Sequence, residues 1–308
     1  MLVLTVDGFT LSEGLVDVGD GHRLYVQDWG KADAPPVLFV HGGPGMGTSD
    51  DYEQYFDASR QRVLFCDQRG VGRSEPYGSL QDDTTDHLVA DIVRVLNHSG
   101  VDEAVLMGGS WGSCLALAFA VAHPGRVRSL VLYGLLTGRQ QESDWLNQGR
   151  WRTFFPEVWQ WYLDRTPEEH HDDPSAYHFA RILGPDAARA RESAYAYTTV
   201  DTAVMDLDDR FAPAPFTDDV DPTSARVQAH YSTNSHFLPP DHVLANADRL
   251  TMPVYVVQGR YDMICPPVSA YELAQRLPRG ELIWALSGHG PNRESWSLLR
   301  TLLLELTQ

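Results

Sequence analysis

The chain has 308 residues, 43% of them hydrophobic, and carries a formal net charge of −18 with a single lysine, Lys31. This length allows one large domain or a domain with an insertion. The acidic balance leaves no basic stripe for phosphates, so we expect no binding to nucleic acid or to anionic membrane surfaces. The longest apolar run, residues 114–122, is far shorter than the roughly 20 residues that span a bilayer. The sequence leaves the oligomeric state open.

Cysteine content and the first residues indicate a compartment. Residues 1–7 lack a basic segment, and their apolar run is too short for a secretory signal. We therefore predict a cytoplasmic protein. The three cysteines fit neither a fully paired disulfide framework nor zinc-site spacing: Cys66, Cys114 and Cys265.

Strand and helix patterns alternate along the first part of the chain. Residues 23–29 alternate as a half-buried antiparallel strand does, and residues 84–97 have helical spacing. This alternation predicts an α/β fold with a mostly parallel, twisted sheet and helices on both faces. Short apolar runs, typical of buried parallel strands, occupy residues 37–40, 62–66, 104–107 and 129–133.

The sequence pattern changes near residue 139, where strand-like apolar runs give way to aromatic and acidic residues. We expect residues 139–245 to form an inserted helical cap, and residues 1–138 and 246–308 to form the core. Such a cap would cover the carboxyl ends of the strands, where open parallel sheets bind ligands. Most cap aromatics should form the cap's own core, although tryptophans could also line a wide apolar pocket. The α/β pattern resumes with strands at 254–257 and 281–285, a helix near 268–276 and a closing helix from about residue 294.

Three histidines in the cap raise the question of a metal. They lie in an acidic, loop-like stretch, so we expect solvated side chains rather than metal ligands: His170, His171 and His178. The sequence predicts neither a metal nor a cofactor.

A Gly-x-Ser-x-Gly motif stands at residues 108–112, directly after the apolar run 104–107 and before a small-residue helix. Strand, glycine-bracketed serine and helix form the context of a nucleophile elbow, a sharp turn that exposes the serine hydroxyl. The motif therefore predicts Ser110 as the nucleophile of acyl-transfer chemistry.

A serine nucleophile needs a base and a group that orients the base. On this fold the order along the chain is serine, acid, histidine. Asp262 follows one late apolar strand and His289 follows the next, so both should lie beside Ser110 at the carboxyl ends of the strands. We predict His289 as general base and then acid, with Asp262 orienting it.

The oxyanion formed during acyl transfer needs two hydrogen-bond donors. One should be the backbone N–H of Trp111 and the other that of Gly43, in the His-Gly-Gly-Pro-Gly loop 41–45. His41 should brace this loop. Residues 67–74 form a second glycine-rich loop, in which we expect Asp67 and Arg69 to support the oxyanion loop electrostatically.

Four motifs together resemble the proline iminopeptidase family of α/β-hydrolases. They are His-Gly-Gly-Pro-Gly, Asp-Gln-Arg-Gly-x-Gly-x-Ser, Gly-Gly-Ser-Trp-Gly and Gly-Arg-Tyr-Asp-x-x-Cys-Pro, at residues 41–45, 67–74, 108–112 and 259–266. The resemblance implies an α/β-hydrolase fold and a cofactor-free serine hydrolase. Such an enzyme removes one N-terminal residue, typically proline, from a small substrate with a free amino terminus, and cap carboxylates hold the substrate's ammonium. Cys265 has a family counterpart, which we interpret as a packing residue.

The ammonium-binding positions depart from the family pattern. Its first cap glutamate corresponds to Asp201 and its second to the neutral Gln228. We expect Asp201, Gln228 and the Gly42 carbonyl to bind the ammonium. Further cap acids offer compensation: Asp206, Asp208 and Asp209.

Three functions fit these residues. The first is hydrolysis of the amide after an N-terminal proline or small residue such as alanine, including removal of an aminoacyl group from a bulky apolar amine. The second is a carboxylesterase or lactonase that uses the same triad, favoured if Gln228 weakens amine recognition. The third is a non-catalytic ligand receptor built on the hydrolase fold.

Overall fold

The computed structural model describes residues 9–207 and 210–308, and eight strands in these ranges form one sheet. They are β1 (Thr10–Gly19), β2 (His22–Gly30), β3 (Pro36–Val40), β4 (Arg62–Cys66), β5 (Ala104–Ser110), β6 (Val127–Leu135), β7 (Val254–Gly259) and β8 (Gly280–Ala285). Their order across the sheet is β1-β2-β4-β3-β5-β6-β7-β8. Two pairings, β1 with β2 and β2 with β4, are antiparallel, and the others are parallel.

The predicted α/β architecture with a mostly parallel sheet is confirmed, and so is the antiparallel strand at residues 23–29, which lies within β2. The sequence reading did not include β1. This strand lies at the edge of the sheet, and most of its side chains are half-buried or exposed, with Val16 and Val18 facing inward. A strand with so few buried residues gives a weak apolar pattern.

Helices cover both faces of the sheet. The described helices are α1 (Thr85–His98), α2 (Trp111–Ala122), α3 (Gln140–Asn147), α4 (Pro156–Leu163), α5 (Pro174–Ile182), α6 (Ala187–Ala203), α7 (Thr223–Thr233), α8 (His242–Ala245), α9 (Pro267–Ala274) and α10 (Arg293–Leu306). Because strand side chains alternate, Leu38 and Leu106 pack toward α1 and α2, whereas Phe39 and Met107 pack toward α10.

Helices α3 to α8 lie between β6 and β7 along the chain, in the segment predicted to be the cap. All four of its tryptophans pack with neighbouring apolar residues in one cluster: Trp145, Trp151, Trp159 and Trp161. None of these four rings lines the cavity that contains Ser110, although Trp151 and Trp159 line a small pocket next to it, together with Leu146 and Asp201. The division into core 1–138 and 246–308 and cap 139–245 stays a prediction.

The described cap residues differ from the expected pattern at one histidine. His178 is buried rather than solvated, because it stacks on Tyr162 at 4.8 Å between ring centroids and contacts Thr166 through Nε2 at 3.1 Å. Burial lowers the pKa of His178 to about 3. Asp208 and Asp209 lie outside the described residues. Within the described ranges, no helix is long and apolar enough to cross a membrane, and no cluster of three or more potential metal ligands occurs.

Candidate active site

Ser110 stands at the end of β5, where the strand turns sharply into α2. Its φ of 54° and ψ of −127° are a backbone conformation that residues with a side chain rarely adopt. The flanking glycines make the turn possible: a Cβ on Gly109 would lie 2.1 Å from the Tyr133 ring, and one on Gly112 would lie 2.0 Å from the Val40 carbonyl oxygen. The local geometry is that of a nucleophile elbow.

Asp262 and His289 lie on the loops after β7 and β8, and their side chains meet. The His289 Nδ1 atom is 3.0 Å from Asp262 Oδ1 and 2.9 Å from Oδ2. Asp262 is 1% exposed, and its oxygens also accept hydrogen bonds from the backbone N–H groups of Ile264 and Cys265 and from the Gln258 amide. These contacts hold the carboxylate in place. A carboxylate at Nδ1 requires the proton there, which leaves Nε2 as the basic atom in the neutral ring.

The surroundings of His289 set its basicity. Burial lowers the pKa of this imidazole, whereas Asp262 raises it through charge and hydrogen bonding. The more distant Asp201 and Asp206 raise it further, so the pKa lies above the usual value for histidine. The backbone N–H of His289 donates to the Met205 carbonyl at 2.8 Å, which ties the histidine loop to the segment that follows α6. Sequence reasoning did not foresee this link, because Met205 belongs to no motif.

Ser110 and His289 line one cavity of about 290 Å³, together with Gly42, Gly43 and Trp111. Trp111 is the first residue of α2, so its N–H has no acceptor within the helix. Gly42 lies against Ser110, since a Cβ on Gly42 would be 3.3 Å from the serine Cβ. The structure thus brings the predicted oxyanion donors and the predicted nucleophile to the same wall.

A buried hydrogen-bond network fixes the oxyanion loop. The backbone N–H of Gln68 donates to His41 Nε2 at 3.0 Å, and the Gln68 side chain donates to the His41 carbonyl at 2.9 Å. Gln68 also accepts from the Trp111 indole at 2.8 Å. Because His41 Nε2 is an acceptor, its proton lies on Nδ1, which donates to the Gly42 carbonyl at 3.0 Å. One residue, Gln68, therefore connects the oxyanion loop to the elbow.

The glycine-rich loop after β4 contains three charged residues, Asp67, Arg69 and Arg73, and the first two were expected to support the oxyanion loop. Asp67 accepts hydrogen bonds from Thr48 and Arg73, so it braces the far end of the oxyanion loop. The expectation for Arg69 is wrong. Its buried guanidinium pairs with Asp91 of α1 at 2.6 Å and does not reach the oxyanion loop. The ion pair with Asp91 in the core therefore orients the guanidinium of Arg69.

The predicted ammonium-binding residues also meet at this cavity. Asp201 of α6 and Gln228 of α7 both line it, and the Gln228 Nε2 atom donates to the Gly43 carbonyl at 2.6 Å. The Gln228 Oε1 atom is buried and has no hydrogen-bond partner among the described residues. Burial raises the pKa of Asp201 to about 6, although His289 and Gln228 oppose the shift. Asp206, by contrast, is exposed.

Cys265 is buried beside the elbow and lines the same cavity. Burial and the Asp262 charge raise the pKa of its thiol well above the usual range, and a hydrogen bond with the Ser110 hydroxyl opposes this only in part. A thiol so strongly protonated is a poor nucleophile. The contacts fit the predicted packing role.

Sequence reasoning missed much of the cavity wall, including one histidine and four aromatic residues of the core. His236 stacks on the Trp111 indole at 5.7 Å, and burial lowers the pKa of its imidazole to about 4. The four aromatic residues come from three separate parts of the sequence: Tyr52, Tyr55, Tyr133 and Trp296. For Tyr52 and Tyr55, the available sequence signal was that two tyrosines stand three residues apart shortly after the oxyanion loop.

Fold and site together define an α/β hydrolase, and residues 35–292 match the family described as alpha/beta hydrolase fold. The chain is 38% identical over 278 residues to a probable proline iminopeptidase of Leptolyngbya boryana, covering 88% of this chain and 85% of that protein. It is 37% identical over 297 residues to the proline iminopeptidase of Arabidopsis thaliana, covering 91% and 76%. The chain belongs to the proline iminopeptidase family.

Solved structures agree with this fold. The crystal structure of a proline iminopeptidase from Mycobacterium smegmatis superimposes with a TM-score of 0.62, covering 96% of this chain and 97% of that one. Sequence identity in this pair is only 20%, so the likeness describes the fold and not the substrate.

Proposed function

We propose that this chain is a serine hydrolase that cleaves the amide bond after an N-terminal proline, releasing the amino acid from a short peptide or other small amide. Its family membership supports the reaction class. The observation that supports a substrate with a free amino terminus concerns Asp201. Its carboxylate lines the cavity that contains Ser110 and His289, and no lysine or arginine occurs among the described lining residues. A free amino terminus is mostly cationic at neutral pH and would supply the missing positive charge.

The proposed ammonium site combines one charge with two neutral acceptors. Asp201 supplies the charge, and the unpartnered Oε1 of Gln228 supplies a buried acceptor that gains a hydrogen bond when the ammonium enters. The Gly42 carbonyl, which already accepts from His41, has a second lone pair for the substrate. Replacing the family's second glutamate by Gln228 therefore preserves an acceptor and removes a charge.

Acylation follows from the arrangement of the triad. His289 Nε2 takes the proton of the Ser110 hydroxyl, whose oxygen attacks the carbonyl carbon of the N-terminal residue. Asp262 stabilises the imidazolium that forms, through the hydrogen bonds at 2.9 and 3.0 Å. His289 then donates the proton to the departing amine nitrogen. Water, activated by the same histidine, releases the amino acid from the acyl-enzyme.

The backbone N–H groups of Gly43 and Trp111 are the proposed oxyanion donors. The tetrahedral intermediate places its charge on the former carbonyl oxygen, and removing one donor of this kind typically costs about 3 kcal/mol of transition-state stabilisation. Gln68 holds both donors indirectly, because it bonds to His41 next to the oxyanion loop and to the Trp111 indole. No metal or cofactor is required for these steps.

Prolyl p-nitroanilide and its N-acetylated form test the proposal. We expect rapid release of nitroaniline from the free-amine substrate and almost none from the blocked one. Ser110→Ala should lower kcat by about 10⁶, whereas the control Ser297→Ala, at an exposed position on α10, should leave it unchanged. Equal hydrolysis of the two substrates would instead favour the carboxylesterase alternative, and full activity of Ser110→Ala would reject the assigned nucleophile.

A further inference from the structure

Residues of two different apolar clusters line the catalytic cavity beside Ser110 and His289, and we call these two groups the cap end and the aromatic end of the cavity. At the cap end, Leu146 and Ile264 belong to the apolar cluster that contains the cap tryptophans, and Asp201 shares a small adjoining pocket with Leu146. The other end is made of aromatic residues of the core, which belong to the cluster between the sheet and α10: Tyr52, Tyr55, Tyr133 and Trp296. None of these four residues takes part in the proposed chemistry.

The location of Asp201 assigns a role to each end. With the substrate ammonium at Asp201, the acyl residue occupies the end next to the cap. The scissile carbonyl then lies at Ser110, and the leaving nitrogen lies at His289, which must protonate it. The rest of the leaving group has to continue away from Asp201, which directs it toward the aromatic end.

The aromatic end is built from rings that order one another. Tyr55 and Trp296 are stacked, with ring centroids 3.6 Å apart and planes inclined by only 7°. Tyr133 packs against Trp296 at 5.5 Å, and Tyr52 packs against Tyr55 at 6.3 Å. All four rings are only partly buried, so surfaces remain open to the cavity. A planar or apolar group that enters gains contact area without displacing the existing contacts.

Charge at the cavity adds a second constraint. The lining contains the carboxylates of Glu142 and Asp201 and no lysine or arginine. Burial raises the pKa of the Tyr52 and Tyr133 hydroxyls, so these groups stay neutral. A leaving group with a carboxylate close to the scissile bond would find no lysine or arginine among the described lining residues to balance its charge.

We propose that Tyr52, Tyr55, Tyr133 and Trp296 form a leaving-group subsite that selects an uncharged amine with an aromatic or large apolar side chain. In a peptide this is an aromatic second residue whose own carboxyl is amidated or joined to further residues. The inference rests on the proposed function and adds the identity of the leaving group to it.

Three dipeptide substrates test the subsite: prolyl-phenylalaninamide, prolyl-glycinamide and prolyl-phenylalanine with a free carboxylate. Burying a phenylalanine side chain predicts that kcat/KM for the phenylalaninamide exceeds that for the glycinamide by about tenfold or more. The free acid should also be poorer than the phenylalaninamide. Equal kcat/KM for the phenylalaninamide and glycinamide substrates would overturn the aromatic selection, and a preference for the free acid would overturn the charge argument.

Substitutions of the aromatic residues test whether the preference for the phenylalaninamide substrate arises at the proposed subsite. Trp296→Leu and Tyr55→Leu should each lower kcat/KM for the phenylalaninamide substrate by about three- to tenfold, and for the glycinamide by less than twofold. Tyr271→Leu, which alters a tyrosine that is 54% exposed on α9, is the matched control and should change neither. Equal losses on both substrates would show a general structural defect and refute the subsite.

Failure of the proposed function would be a separate result, seen as no cleavage of any prolyl substrate by the wild-type enzyme. Calorimetry with the product amines tests the subsite without turnover. Phenylalaninamide should bind more tightly than glycinamide to the wild-type protein, and Tyr55→Leu should reduce that difference. Equal affinities of the two amines for the wild-type protein would overturn the subsite even if cleavage is observed.

Discussion

Asp201→Asn removes the charge proposed to hold the substrate ammonium while preserving the size of the side chain. A hydrogen bond to a charged group contributes about 1.5–3 kcal/mol, so kcat/KM for prolyl p-nitroanilide should fall about 10- to 150-fold at pH 8. Asp201 is only partly exposed, which places the effect toward the upper part of that range because water screens the interaction less there than at the surface. The N-acetylated substrate, which has no ammonium, should show no such loss.

The pH profile supplies a second readout. Asp201 must be ionised to bind the ammonium, and burial raises the pKa of this carboxyl to about 6. His289 must be neutral to accept the serine proton, and its pKa is raised above 6.5, against burial, chiefly by Asp262. Because kcat/KM reports the free enzyme, activity should fall as the pH decreases through the pKa values of these two groups, with two protons bound over the acidic side of the profile.

Asp201→Asn should change the acidic side of the pH profile of kcat/KM in a defined direction. Asp201→Asn removes one of the two titrating groups, so this side of the profile should become a one-proton curve. It also removes a negative charge that raises the pKa of His289, so the midpoint should move to lower pH. Asp206→Asn is the matched control: this exposed acid also raises the pKa of His289 but does not line the cavity. Asp206→Asn should shift the acidic side of the pH profile slightly and leave kcat/KM at pH 8 within twofold of the wild-type value.

Stopped assays across pH 5 to 9, with circular dichroism to verify folding, are sufficient for these measurements. The ammonium role of Asp201 is refuted if Asp201→Asn retains wild-type kcat/KM at pH 8. It is also refuted if the loss is the same for a substrate that lacks the amino group.

Three further predictions concern the walls of the site. Gln68→Leu removes the side-chain hydrogen bonds to the His41 carbonyl and the Trp111 indole and should lower kcat about 10- to 100-fold, with a smaller change in KM; an unchanged kcat would show that the Gln68 side chain is not a positioning group. Gly109→Ala places a Cβ 2.1 Å from the Tyr133 ring and should lower the free energy of unfolding by about 1–3 kcal/mol, measured in urea, whereas Gly125→Ala, with nothing within 4 Å, should not. A bulky maleimide should inactivate the enzyme slowly through buried Cys265, and Cys265→Ala should abolish that inactivation; equally fast inactivation of both proteins would place the sensitive thiol elsewhere.

Several features of the site follow from short stretches of sequence. The elbow at Ser110 was predictable because its requirements are local: a strand, a turn with little room for side chains, and a helix within about a dozen residues. The positions of Asp262 and His289 were predictable for a related reason. Each follows an apolar strand, and the carboxyl ends of neighbouring parallel strands lie at one edge of the sheet.

Other features depend on packing between distant elements. Nothing near Arg69 in the sequence indicates that Asp91 would be its partner, because the fold decides which charges become neighbours. The edge strand β1 was missed because it is mostly exposed, and His178 was expected to be solvated because the burial provided by α4 and α5 is not a local property.

The sequence by itself determined the α/β fold and the chain positions of the predicted nucleophile, base and acid, because motifs and strand order encode them locally. Only the tertiary structure decided the shape and charge of the cavity. Tyr55 and Trp296 stack although they come from opposite ends of the chain, and Asp201 reaches the cavity from α6. Such contacts arise from the packing of side chains on separate elements, and no local pattern in the chain specifies them.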